Sequence, residues 1–216
     1  MLAPADAAAI EARIRAVESR TGAQVVVALV ARTDRFHGLR WRAFALGAST
    51  AALATVLADV LRPDWVTSHT AIVTAAIIIG AGLSCTALAT VWPRFERLFL
   101  SFTRAQAEVR QRADSLFLER ECFATTQRNA VLLVAGRFER AVAVVGDVAY
   151  RARIDDREWQ AVVDATTAGL AAGDARAAFI AGLDRLESLL VAKGFVAHGA
   201  AQDELPDAPL EIDEPR

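Results

Sequence analysis

Cysteine is scarce in this chain, and charge disappears altogether from one long stretch. Only two cysteines occur among 216 residues, Cys85 and Cys122. With no further partners, they exclude a disulfide-stapled scaffold and a cysteine-built zinc site. The three histidines are equally dispersed: His37 and His69 flank apolar segments and His198 opens the C-terminal tail. Also missing are a glycine-rich phosphate loop, an Asp-x-Asp element and a His-Glu-x-x-His element. The sequence marks of glycine-loop and Asp-x-Asp phosphoryl transfer and of metalloprotease chemistry are therefore not there. Net charge is −2, without the basic excess that a polyanion partner calls for, and no nucleic-acid partner is expected.

Residues 66–92 contain no Asp, Glu, Lys or Arg. A hydrocarbon core about 30 Å thick is crossed by roughly 20 apolar helical residues, and this run is longer. Residues 43–61 precede it with one charge, Asp59, near their far end, and Arg62-Pro63-Asp64-Trp65 forms a short polar link. The pattern predicts a transmembrane helical hairpin over residues 41–93, so the lipid bilayer is the first expected partner. Trp41, Trp65 and Trp92 fall at the span ends, where amphipathic rings favour the interface. Arg40 and Arg42 lie at the start of the first span, while Arg94 and Arg97 follow the second. Basic flanks stay cytoplasmic, which places both termini in the cytoplasm. Small residues recur every four positions at Gly47 and Ala51 in the first span, and at Gly80 and Ser84 in the second. Such spacing lets helices approach closely, within the hairpin or between copies of the chain as a homo-oligomer.

Outside the hairpin the pattern is that of an α/β domain. Residues 5–20 place Ile10, Ile14 and Val17 on one helical face, and Thr21-Gly22 ends the helix. Val25–Val30 is a continuous apolar run of the kind buried on both sheet faces. After the hairpin come a helical pattern over 104–122, strands at 131–135 and 141–145, and two further helices opened by Asp155 or Asp156 and by Asp174. A lone strand at 25–30 cannot bury itself, so it is expected to join the later pair. The expected fold is a small mixed β-sheet flanked by helices, interrupted after its first strand by the hairpin. Its two parts are residues 1–40 and 94–197. Residues 198–216 carry six acids, one Arg and three Pro, a charge of −5, and read as a disordered acidic tail.

The stretches Ile14–Val30 and Ala113–Asp147, with Trp159 at the start of the next helix, resemble the TPM domain family. The resemblance covers most of the chain outside the hairpin and tail, and a bacterial subgroup carries two spans after the first strand. It implies a bacterial inner-membrane protein with a compact α/β domain. For some members it implies phosphatase activity and divalent-cation binding, calcium in particular; for others, an assembly or accessory role. Carried over by position, Asp147 is the candidate metal ligand, with Asp155 and Asp156 as further oxygen donors. Thr125 and Arg128 become anion-binding candidates. The chain departs from the family at Ala130 and at Val148-Ala149-Tyr150, where glycine is usual. Asp155 and Asp156 also read as a helix cap and its neighbour, and Asp147 as a turn residue. Catalytic residues are not identified. The expected function is a non-catalytic accessory or interaction module serving another membrane protein or a second copy. The alternatives are a cation-dependent membrane phosphatase and an oligomeric membrane structural protein.

Overall fold

A strand as apolar as Val25–Val30 needs cover on both faces, and the architecture supplies it from two helical layers and the C-terminal segment. The computed structural model describes residues 2–32, 37–61, 70–92, 95, 101–197 and 204–213. The chain forms two compact units, Met1–Asp34 with Phe102–Arg216, and Arg35–Ser101.

In the first unit, helix α1 (Pro4–Thr21) leads into strand β1 (Gln24–Val30). The second unit holds α2 (His37–Leu61) and α3 (Thr70–Val91). The first unit then resumes with α4 (Phe102–Glu119), β2 (Ala130–Gly136), β3 (Ala141–Gly146), α5 (Asp156–Ala172), α6 (Ala175–Ala192) and β4 (Leu210–Ile212). Four strands make one mixed sheet in the order β3-β2-β1-β4. β1 runs parallel to β2, from Gln24 opposite Ala130 to Val30 opposite Gly136. β2 and β3 are antiparallel. As the sequence predicts, the first strand completes its sheet across the intervening pair of apolar helices.

One face of the sheet presents Val25, Val27, Leu29, Val131 and Leu133 to Ile10, Ile14 and Val17 of α1 and to Phe179, Leu183 and Leu186 of α6. Each fully buried side chain of this kind contributes about 1.5–3 kcal/mol. The other face receives α4, which buries Val109, Ala113, Leu116 and Phe117 at three- and four-residue spacing and packs mainly on β2 and β3. Gly22 ends α1 at φ 71°, and an added Cβ there would also meet Ala197 Cα at 3.3 Å. Asp155 caps α5 through a capping box with Glu158, and Asp174 caps α6.

The expectation of a disordered tail is corrected for residues 204–213. β4 adds to the free edge of β1 in parallel, with Ala28 opposite Leu210 and Val30 opposite Ile212. The physical reason is β1 itself. Its second face lies beyond α4, and Val26, Leu205, Pro206 and Leu210 line one small cavity there. Polar ties hold the segment: Gln24 Oε1 accepts from the Glu204 and Leu205 amides at 2.8 and 3.2 Å. Arg15 Nε donates to Asp207 at 3.0 Å, and the Leu2 amide donates to Glu211 at 2.9 Å.

In the second unit, Gly38–Leu61 and Ala71–Val91 are long and apolar enough to cross a membrane. At 1.5 Å per residue they extend about 36 and 32 Å. The two helices pack on each other where side chains are smallest. An added Cβ at Gly47 would lie 2.6 Å from the Ala81 carbonyl oxygen and 2.8 Å from Cys85 Sγ. Gly82 faces the Phe44 ring, and Ala51 is half-buried on the Gly47 side. Packing of Gly80 and Ser84 inside the hairpin is not what forms: Gly80 has nothing within 4 Å of its would-be Cβ, and Ser84 is exposed, so the expectation is corrected for contacts between these two helices. The face of α3 is selected by the close fits at Ala81, Gly82 and Cys85, which turn the Gly80 stripe outward. Trp41, Trp92, Arg40 and Arg42 are exposed. Trp65, Arg94 and Arg97 lie outside the described residues.

Candidate functional site

The turn between α4 and β2 needs two left-handed residues, Glu121 (φ 51°) and Arg128 (φ 53°). Arg128 closes it by donating its amide to the Thr125 carbonyl at 3.0 Å. The turn aims the Arg128 guanidinium at Asp147, the residue that follows β3. Nε and Nη2 grip the two carboxylate oxygens at 2.8 and 3.0 Å, a bidentate pair. Asp147 Oδ1 also accepts the Val148 amide at 2.7 Å, starting the short turn Val148–Tyr150. Behind it, the Tyr150 hydroxyl donates to the Asn129 carbonyl at 2.6 Å, and Trp159 stands edge-on to the Tyr150 ring.

Burial works to raise the Asp147 pKa, but the Arg128 hydrogen bonds, the Val148 amide and the charges of Arg128 and Arg151 outweigh it. The group is held below the usual carboxylate range. Burial pushes the Tyr150 hydroxyl up.

Beside this cluster lies a groove of about 1370 Å³. Its floor is the β3 edge from Val142 to Gly146 with Asp147 and Val148 beyond it, and its walls are residues of α4 and α5, among them Phe117, Leu118 and Trp159. Among the described residues β3 has no strand on its outer side, and Arg110 Nη1 donates to the Val144 carbonyl at 2.8 Å, where a neighbouring strand's N–H would otherwise sit.

The residues singled out from sequence are only partly brought together. Asp147, Arg128 and Asp156 all line the groove. Asp155 accepts the Glu158 amide at 2.9 Å as a helix cap, and Asp156 is exposed in the first turn of α5. The calcium that the family resemblance implies does not fit this arrangement. Both Asp147 oxygens already accept from Arg128, and no three His, Cys, Asp or Glu among the described residues gather as a metal set. Thr125 is buried, and its hydroxyl accepts from the Asn129 amide at 3.3 Å. The neighbouring Thr126 instead binds an anion from within the chain. Its amide and hydroxyl donate to Glu204 Oε2 at 2.8 and 3.0 Å. Arg110, Thr126 and Glu204 escape sequence reasoning because only the folded sheet makes them neighbours of their partners.

These features define a mixed α/β domain with an open, groove-flanked sheet edge, in a chain that also carries two helices of membrane-spanning length. No protein-family model matches the chain, and no curated protein matches it. A solved structure to which it is similar is the NMR structure of the BA42 protein from the psychrophilic bacterium Bizionia argentinensis. The identity is 15%, the TM-score is 0.59, and the match covers 98% of this chain and 95% of that one. At that identity the likeness concerns the fold. The TPM resemblance has no matching family model behind it.

Proposed function

We propose that this protein is a membrane-anchored interaction module of the bacterial inner membrane, both termini cytoplasmic, that holds a partner in the groove along β3. The observation that carries the reading is the use made of Asp147. Its carboxylate accepts three hydrogen bonds, two from Arg128 and one from Val148, which leaves it engaged in structure. Beside it, the groove offers what a binding surface needs: an unpaired strand edge and exposed apolar side chains at Phe102 and Leu118. The partner is another membrane protein or a second copy. The test is affinity purification of the full chain from native membranes, with Leu118→Glu as the groove variant. A stoichiometric companion retained by the wild type and lost by the variant supports the reading. Cation-dependent turnover of a phosphoester by the purified chain, abolished by Asp147→Asn, overturns it.

A further inference from the structure

The chain leaves the sheet domain at Ala31–Arg32, five residues before α2 begins. The loop between β2 and β3, residues 137–140, is fastened to that exit. The Arg137 amide donates to the Val30 carbonyl at 2.8 Å and the Phe138 amide to the Ala31 carbonyl at 3.1 Å. The Arg32 guanidinium lies 4.2 Å from the centre of the Phe138 ring. Arg137 and Arg140 are exposed, and neither makes an ion pair among the described residues. Arg140 is held at φ 50°, closing the loop. Glu139, between them, is buried, and one acid stands beside the exit: the Ala31 amide donates to the Ile212 carbonyl at 2.8 Å, which brings Asp213 next to it. Three arginines, Arg32, Arg137 and Arg140, and a half-buried aromatic ring thus belong to the exit and the loop tied to it, against one neighbouring exposed acid, Asp213.

We infer that the Arg137–Arg140 loop is a docking surface for anionic lipid headgroups, acting with Arg32 at the chain exit. The inference rests on the membrane-anchored reading and deepens it. Excess positive charge close to a bilayer attracts anionic lipid, each Arg contributing a factor of roughly five in lipid preference. The ring adds an interfacial contact of the kind aromatic side chains favour. The loop lies more than 100 residues from the Arg32 segment in sequence, so no juxtamembrane charge count includes it.

The test uses the full chain in vesicles of phosphatidylcholine mixed with phosphatidylglycerol, reading the preference of spin-labelled phosphatidylglycerol over phosphatidylcholine at the protein surface. The variants are Arg137→Gln with Arg140→Asn, the Asn being tolerant of the left-handed backbone, the double Lys replacement, and Arg120→Gln as a control remote from the loop. The neutral pair is expected to lower the preference by roughly fivefold for each charge. The Lys pair and the control are expected to keep it. Unchanged preference in the neutral pair, with the protein still resistant to carbonate extraction, overturns the loop assignment alone. Release of the wild type by carbonate overturns the anchored reading and the inference with it.

Discussion

The two units treat the same residue types in opposite ways. In the sheet unit, Leu133, Leu183 and Ile14 are fully buried. In the helical unit, Leu53, Val60 and Ile72 are about 70% exposed, and only 6% of each span-length window is buried within the fold. One unit hides its apolar surface in itself; the other leaves it for a surrounding medium. Transfer from water stabilises the first, whereas the closest fit in the second is the approach of the two helices at Gly47.

The sharpest way to break this contrast is one substitution made in both units, with the full chain in bilayers, Trp41, Trp65 and Trp92 replaced by Phe, and unfolding followed by the fluorescence of Trp159. Leu133→Ala is expected to destabilise the sheet unit by about 2–5 kcal/mol. Leu53→Ala is expected to leave the same transition unchanged. A comparable loss from Leu53→Ala would show that its side chain is covered by protein.

Next in size, Gly47→Leu should overpack the contact of α2 with α3 at a cost of about 1–3 kcal/mol. It would be read as faster thiol labelling of Cys85, which packs beside Gly47. Gly80→Leu should leave the labelling rate as it is, because nothing in the fold meets it.

Acid sharpens the comparison from the sheet side. The folded-state pKa values of Asp147 and Glu187 lie below the ordinary carboxylate range. For Asp147, burial is opposed and outweighed by Arg128; for Glu187, the Arg20 hydrogen bond leads, with Arg13 adding to it. Stability from both groups is fully present above their unfolded values, near 4, and is lost as pH falls through the depressed folded ones. Asp147→Asn should flatten the acid limb of the stability profile. A limb unchanged by the substitution would mean that the ion pair contributes nothing to it.

The smallest expected effect is that of Glu204→Ala, about 0.5–1.5 kcal/mol for the lost hydrogen bonds to Thr126. It should appear first as faster amide exchange in residues 210–212.

The elements of the sheet unit were legible because its periodicities are strong. Ile10, Ile14 and Val17 mark a helix face, and Val25–Val30 marks a doubly covered strand. The tail was not legible, since its acids and prolines are those of an unfolded segment. The edge of β1 orders it, and Leu210–Ile212 is too short to show a period of two. The packed face of α3 was ambiguous for another reason. Small residues lie on two of its stripes, and Phe44 of the neighbouring helix selects the one holding Gly82. At the candidate site, Thr125, Arg128 and Asp147 stood out individually. What sequence spacing does not carry is that Arg128 is spent on Asp147, because that contact exists only once β2 and β3 are paired.

The parallel pairing of β1 with β2 also governs timing. Residues 24–30 emerge from the ribosome about a hundred residues before their partner at 130–136, and both span-length helices are made in between. Until β2 arrives, an apolar segment free of charge stands open to mispairing with other chains. Synthesis of both span-length helices thus comes before closure of the sheet, and any delay after α3 prolongs the interval in which β1 lacks its partner.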